Sequence, residues 1–301
     1  GIFESSGIVC AYGVMAAWRE NIIFASVLPV AACSANTGAT RSGKKILIER
    51  KMTTANDITE TMLGMRNEAQ SRILMRFFKT GKGEYGEGDK FLGIRVPAVR
   101  AVAQEAYGTV ALGEVEKLLR SPWHEIRLCG FLLLVEEMRR ALPTHRNVNG
   151  NAARRTEIAR FYIAHAPCAD NWDLVDLSCG GILGKWLLFP DENGGMPSRE
   201  ILDSLAESSN LWEQRIAIVS TSALIRVGQY DDTLRMASKL LNHPHDLIHK
   251  AVGWMLREVG KKEINVLRTY LEAHCHEMAR TTLRYAIERM DAGERREWLK
   301  R

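Results

Sequence analysis

Asn171-Trp172-Asp173-Leu174-Val175-Asp176 reads as the opening of a helix. Asn is a strong N-cap because its side-chain oxygen accepts an otherwise orphaned backbone N–H, so Trp172 falls in the first turn and Asp176 in the second. At a spacing of four residues the indole and the carboxylate share one helical face and can converge on one ligand. A carboxylate near the positive end of the helix dipole, with an aromatic ring beside it, points to a site that handles positive charge.

The same punctuation recurs on both sides. Ser121-Pro122, Asn210 and His243-Pro244 each precede a long amphipathic segment, followed by a short polar link and a second helix. From about Asp57 onward apolar residues recur at three and four, with almost no β-branched alternation, which predicts an all-α chain. Arg72-Ile73-Leu74-Met75-Arg76-Phe77-Phe78 ends one helix before the glycine-rich loop from Gly81 to Gly88, and Pro97 suits the first turn of the next.

Setting the segment starts in register gives a weak internal repeat. Arg127-Leu128-Cys129-Gly130, Arg215-Ile216-Ala217-Ile218 and Lys250-Ala251-Val252-Gly253 fall at equivalent places, with Asp176 at the corresponding place between them. The intervals Arg127 to Asp176, Asp176 to Arg215 and Arg215 to Lys250 are 49, 39 and 35 residues, in the range of two-helix solenoid repeats of the HEAT type. The expected fold is an α-solenoid of HEAT-like antiparallel helix pairs with a concave basic surface, lined by one helix of each pair. On that register three cations, Arg127, Arg215 and Lys250, flank one carboxylate, Asp176. Trp254 lies one turn beyond Lys250 as Trp172 lies one turn before Asp176, so two indoles can approach the carboxylate from different repeats, although either ring alone reads equally as core.

Composition bounds the rest. With 301 residues and 46% hydrophobic content the chain can bury a large core, which excludes disorder of the bulk. A net charge of +5 is a mild bias towards polyanions, too weak alone to establish nucleic-acid binding. Cys10, Cys33, Cys129, Cys168, Cys179 and Cys275 show no CxxC spacing and read as buried reduced thiols of a cytoplasmic protein. Residues 1–55 read as an N-terminal extension, poorly ordered or non-native, ahead of a HEAT-like domain over 56–301. The apolar run Ile22 to Cys33 is signal-like, and Val30-Ala31-Ala32-Cys33 looks like a lipoprotein box. Glu20 and the non-methionine start argue against both, and Met52 is read as the natural start. No other stretch approaches the ~20 apolar residues of a membrane span. A monomer with no membrane partner is expected.

Several chemical motifs are set aside. Gly81-Lys82-Gly83-Glu84-Tyr85-Gly86 matches GxGxxG, but it follows a helix rather than a strand and reads as a loop between helices. Gly38 to Lys45 approaches a P-loop, yet Lys45 stands where a hydroxyl would hold magnesium. His165, Cys168 and Cys179 lack the PCxxC and HxE of a deaminase, and His243, His245 and His249 read as a solvated helix start rather than a metal site.

At the residues that set the register, the chain resembles the DNA alkylation repair family, the AlkD-like HEAT-repeat DNA glycosylases, over about Arg72 to Met290. The resemblance is carried by Phe77-Phe78-Lys79-Thr80-Gly81-Lys82-Gly83-Glu84-Tyr85-Gly86, Phe91 to Pro97, Asn171 to Asp176, Trp212 to Ala217 and Lys250 to Glu258, in that order and spacing. It implies an enzyme without metal or cofactor that removes N3- or N7-alkylated purines from duplex DNA, with its site on Trp172, Asp176, Arg215 and Trp254. It also implies a grip on the DNA backbone, with the base left largely outside a dedicated pocket.

The chemistry suits those residues. Ordinary glycoside hydrolysis needs two carboxylates because a poor leaving group must be protonated. An alkylated purine already carries positive charge and departs neutral, so one carboxylate suffices. Asp176 is therefore expected to stabilise the sugar cation and to position or deprotonate water, and Trp172 and Trp254 to pack on the deoxyribose. Arg215, with its fixed fork, is expected on a phosphate beside the lesion, and Arg127, Lys250 and Arg257 on further phosphates. The alternative is a non-catalytic HEAT-repeat module that binds DNA or protein; Asp176 separates the two.

Overall fold

The computed structural model describes residues 52–301. The apolar run, the P-loop-like segment and Cys10 and Cys33 lie outside them. Met52 is buried, and its carbonyl accepts a hydrogen bond from Thr109, so Met52 to Ala55 belong to the folded body rather than to an extension.

Local chemistry starts the helices. Thr54 forms a reciprocal capping box with Asp57 at the head of α1 (Ala55–Gly64), and Asn67 caps α2 (Glu68–Phe77). Pro97 sits in the first turn of α3 (Val96–Ala106), where its missing N–H costs nothing. The helices α4 (Leu112–Leu119), α5 (His124–Ala141) and α6 (Ala152–Ala164) follow, the last capped by Asn151. Asn171 caps α7 (Trp172–Ser178) and is followed by α8 (Leu183–Trp186) and α9 (Glu200–Ala206). Asn210 caps α10 (Leu211–Ser220), which runs into α11 (Ser222–Arg226) and then α12 (Asp231–Lys239). His245 caps α13 (Asp246–Lys262), and α14 (Ile264–His274), α15 (Arg280–Ala286) and α16 (Ala292–Lys300) complete the chain.

The helices stack as a repeat. In one layer α3 packs on α5, α5 on α7, α7 on α10, α10 on α13 and α13 on α15. A second layer backs it: α4 and α6 lie on α5, α9 on α10, and α12 and α14 on α13. The described residues are thus all-α and built by helical repetition, as the periodicity predicts. Among the described residues the β structure amounts to a single bridge between Lys90 and Trp123. None of the described helices is long and apolar enough to cross a membrane.

One expectation needs correction. The segment after Asn171 reads as one long helix, but α7 ends at Ser178 and the chain restarts at Leu183 after Gly180-Gly181. The reason is a close approach. A Cβ on Gly184 would stand 2.3 Å from the Ser220 carbonyl oxygen, so the backbone of α8 lies against the end of α10. α10 itself breaks at Thr221, whose hydroxyl bonds back to the Ile218 carbonyl and competes with the helical ladder.

The chain from Gly81 to Arg95 has no regular structure, yet it is tied down. Glu125, buried in the first turn of α5, accepts hydrogen bonds from the backbone N–H groups of Leu92, Gly93 and Ile94 at 2.8, 2.8 and 3.1 Å. This anchors the end of the glycine-rich loop beside the starts of α5 and α7.

Candidate functional site

Asp176 lies one turn into α7, and Arg215 one turn into α10, the neighbouring helix of the same layer. Arg215 Nε donates to Asp176 Oδ1 at 2.9 Å and Nη2 to Oδ2 at 2.8 Å, a bidentate fork, while Nη1 donates to the Leu247 carbonyl at 2.6 Å. Arg215 is 1% exposed, and all three of its nitrogens are spent on this chain. The expected phosphate ligand is here the partner of the carboxylate, because a buried charge must be matched locally.

Trp172 is buried in an aromatic stack. Phe78 lies on one face of the ring, centroids 5.2 Å apart and planes at 22°, and Phe77 meets it edge-on at 6.0 Å. The indole N–H donates to the Tyr85 hydroxyl, and burial holds the Tyr85 pKa above its ordinary value. Tyr85 comes from the glycine-rich loop, which seats close because Gly86 has no side chain: a Cβ there would stand 2.5 Å from the Phe78 carbonyl oxygen.

Behind the stack lies a charge network that spacing did not disclose. His124, at the first position of α5, bonds Asp89 through Nδ1 at 2.7 Å and Asp173 through Nε2 at 2.9 Å, and it stacks on Phe91 at 4.2 Å. Burial opposes its charge, but Asp173 and Asp89 outweigh that cost and raise its pKa to about 10, so it is an imidazolium at neutral pH. Asp89 is held below the usual carboxylate range: burial pushes it up, and His124 and Arg127 more than offset that. Arg127 reaches Asp89 at 2.8 Å and the half-exposed Asp170 at 2.9 Å.

The picture of three cations around one carboxylate is therefore revised. Asp89, Asp170, Asp173 and Asp176 face His124, Arg127 and Arg215, four carboxylates to three cations. Lys250 pairs with Asp246 at 2.7 Å within α13, and Arg257 pairs with Glu258 and Glu288. Each of the four cations expected on phosphates is engaged by an acid of its own chain. Trp254 is 6% exposed on α13, two turns after Leu247, whose carbonyl receives Arg215. The set-aside histidines act locally: the Leu247 N–H donates to His245 Nδ1, and His243 Nε2 bonds Gln214.

The family described as DNA alkylation repair enzyme matches residues 58–290. The chain belongs to that family. In fold it is similar to a predicted DNA alkylation repair enzyme from Enterococcus faecalis, 16% identical, with a TM-score of 0.55 and coverage of 75% of this chain and 97% of that one. A second solved structure, AlkD2 from Streptococcus mutans, is 14% identical with a TM-score of 0.46, covering 79% and 98%. No curated protein matches the chain.

As a member of the DNA alkylation repair family, the chain holds more at this site than the resemblance implies. A cleft of about 540 Å³ opens beside the network, with Tyr85, Asp89, Lys90, Arg120, Asp170 and Trp212 among its walls. Neither Asp176 nor Trp254 lines it. Asp89 and His124 are absent from the residues the sequence singled out, and Tyr85 appears there only as part of the glycine-rich loop, with no role at the site. Their partners lie 35 to 87 residues away, beyond any local spacing rule; the one available signal was a histidine opening α5 where Trp172 opens α7. Cys129 and Cys179 are buried free thiols whose pKa burial pushes up to about 12, so they are unreactive packing groups.

Proposed function

We propose that this chain is a monofunctional DNA glycosylase that hydrolyses the N-glycosidic bond of N3- or N7-alkylated purines in duplex DNA and leaves an abasic site. The observation that carries the reading is Asp176, a buried carboxylate fixed in its plane by both arms of Arg215, one turn from Trp172, in a family of DNA alkylation repair enzymes. A cationic purine leaves as a neutral base, so no general acid is needed and the positive charge passes to the sugar. A carboxylate has about four acceptor directions, and Arg215 occupies two, leaving two for a water or for the face of the sugar cation. Preorganised electrostatic stabilisation of this kind is worth about 3 kcal/mol. Within the buried network the carboxylates outnumber the cations by one, which favours positive charge beside it. Trp172, 5% exposed, has Phe78 on one face, Phe77 edge-on and its N–H on Tyr85, so it meets the deoxyribose through the small surface left, with Trp254 as the proposed second indole.

Incubating the purified protein with methylated duplex DNA is expected to release 7-methylguanine or 3-methyladenine. Binding without release would sink the catalytic reading. One observation favours that alternative, a non-catalytic DNA-binding module: both Asp176 oxygens are engaged and its side chain is 3% exposed. The same assay decides between the two.

A further inference from the structure

Arg127, Arg215, Lys250 and Arg257 are all paired with acids of this chain, so cations without such partners are better placed to meet phosphates. Arg72, Arg76 and Lys79 stand at i, i+4 and i+7 along α2 and its C-terminal turn, so they share one face. All three are exposed, as is Lys82 in the loop that follows, and none of these side chains has an acid partner among the described residues. The face lies on the outer side of α2, opposite the rings of Phe77 and of the C-cap Phe78, which pack on Trp172.

Lys79 adds an independent observation. Thr80 N–H bonds the Met75 carbonyl at 3.1 Å and Lys79 N–H bonds the Arg76 carbonyl at 3.4 Å, the paired hydrogen bonds of a Schellman C-cap. That cap puts its outer residue in the left-handed region, where glycine is the usual choice, yet Lys79 sits there at φ 53°. It is the non-glycine residue with positive φ among those described. Strain kept at one position, with a long cation on it, is explained by what that cation binds.

We propose that the outer α2 face carrying Arg72, Arg76 and Lys79, continued by Lys82, holds the phosphate backbone of one strand of duplex DNA. Seven residues of helix span about 10 Å, enough to reach successive phosphates. Ile73, 60% exposed, and Met75 flank the cations and lie against the sugars. Contacts of this kind carry no sequence readout, which suits a protein that must search all DNA. The inference rests on duplex DNA being the partner, but it does not need the glycosylase chemistry.

The test is salt-dependent binding of the full chain to an unmodified duplex. Each lost phosphate contact lowers the slope of log K against log salt by about 0.9. R72A/R76A/K79G is expected to lower it by about 2.7 and to weaken binding roughly 10²-fold at 0.1 M salt. K79G alone is expected to lose about one contact and to melt no lower than the parent, a combination that a structural role for Lys79 does not produce. A slope unchanged in the triple variant overturns the proposal, as does a parent that fails to bind unmodified duplex. Retained duplex binding with loss of binding to vesicles containing phosphatidylglycerol would also overturn it and assign the face to a membrane surface. Base release from methylated DNA is read separately, so a parent that binds with full slope but releases nothing sinks only the glycosylase reading.

Discussion

Arg215 and Arg76 carry the same guanidinium group, and both lie on helices that converge near Trp172. Arg215 is 1% exposed and spends every nitrogen on this chain. Arg76 is exposed on α2 with no acid partner among the described residues. The difference is one of cost. A buried charge left unmatched costs several kcal/mol, so the interior holds its cations only as partners of carboxylates. An exposed cation costs almost nothing to leave free and is available to a polyanion. The interior therefore fixes geometry, and the outer face supplies affinity.

The comparison breaks most sharply at the fork. R215A strands the buried Asp176 carboxylate and is expected to cost about 3–5 kcal/mol, a fall in melting temperature of roughly 10 °C for a body of this size. Replacing both partners, as in D176L/R215M, should recover most of that stability; a double variant as unstable as R215A would mean that Arg215 acts mainly through the Leu247 carbonyl. Next in size, D176N keeps the shape of the side chain and one acceptor for Arg215 but removes the charge. The rate of base release is expected to fall 10²- to 10³-fold, about 3–4 kcal/mol, with duplex binding little changed. Full activity in D176N would remove Asp176 from the chemistry.

A third test uses pH. His124 is raised from 6.5 to about 10 in the folded protein, so the stability it contributes is complete below pH 6.5 and is lost as the pH climbs through 10. The gap in melting temperature between the parent and H124Q is therefore expected to be widest near pH 6 and to narrow steadily towards pH 10. A gap constant over that range would show that the ring matters for packing on Phe91 rather than for its charge. Smallest of all is K250A. Lys250 and Asp246 form a partly exposed pair within one helix, worth about 0.5 kcal/mol or less, and duplex binding should hardly change. A large loss of binding would return Lys250 to the phosphate contacts.

The helix starts were legible because capping is local chemistry. Asn171 and Asn210 accept the N–H groups of Trp172 and Trp212, and Pro97 occupies a first turn, as their residue types require. The register of Asp176 and Arg215 on neighbouring helices was legible too, since repetition repeats a spacing. What the sequence did not disclose was how charges pair. Arg215 reads as a free cation until the helix carrying Asp176 packs beside it, and Asp89 reads as one more loop acid until the chain brings it to His124 and Arg127. The break after Ser178 was hidden for a similar reason: Gly180 and Gly181 signal weakness, but the close approach at Gly184 is a tertiary event.

The three backbone N–H groups that Glu125 collects from Leu92, Gly93 and Ile94 have a consequence for assembly. Those amides have no ladder of their own, so nothing in the segment can settle until the first turn of α5 has formed and offered its carboxylate. The stretch from Leu92 to Ile94 therefore depends for its order on a helix 30 residues downstream, while the glycine-rich loop before it is closed by its own hydrogen bonds to Lys79 and Thr80. During synthesis that stretch leaves the ribosome before its anchor exists, so its three amides stay with water until the first turn of α5 is made.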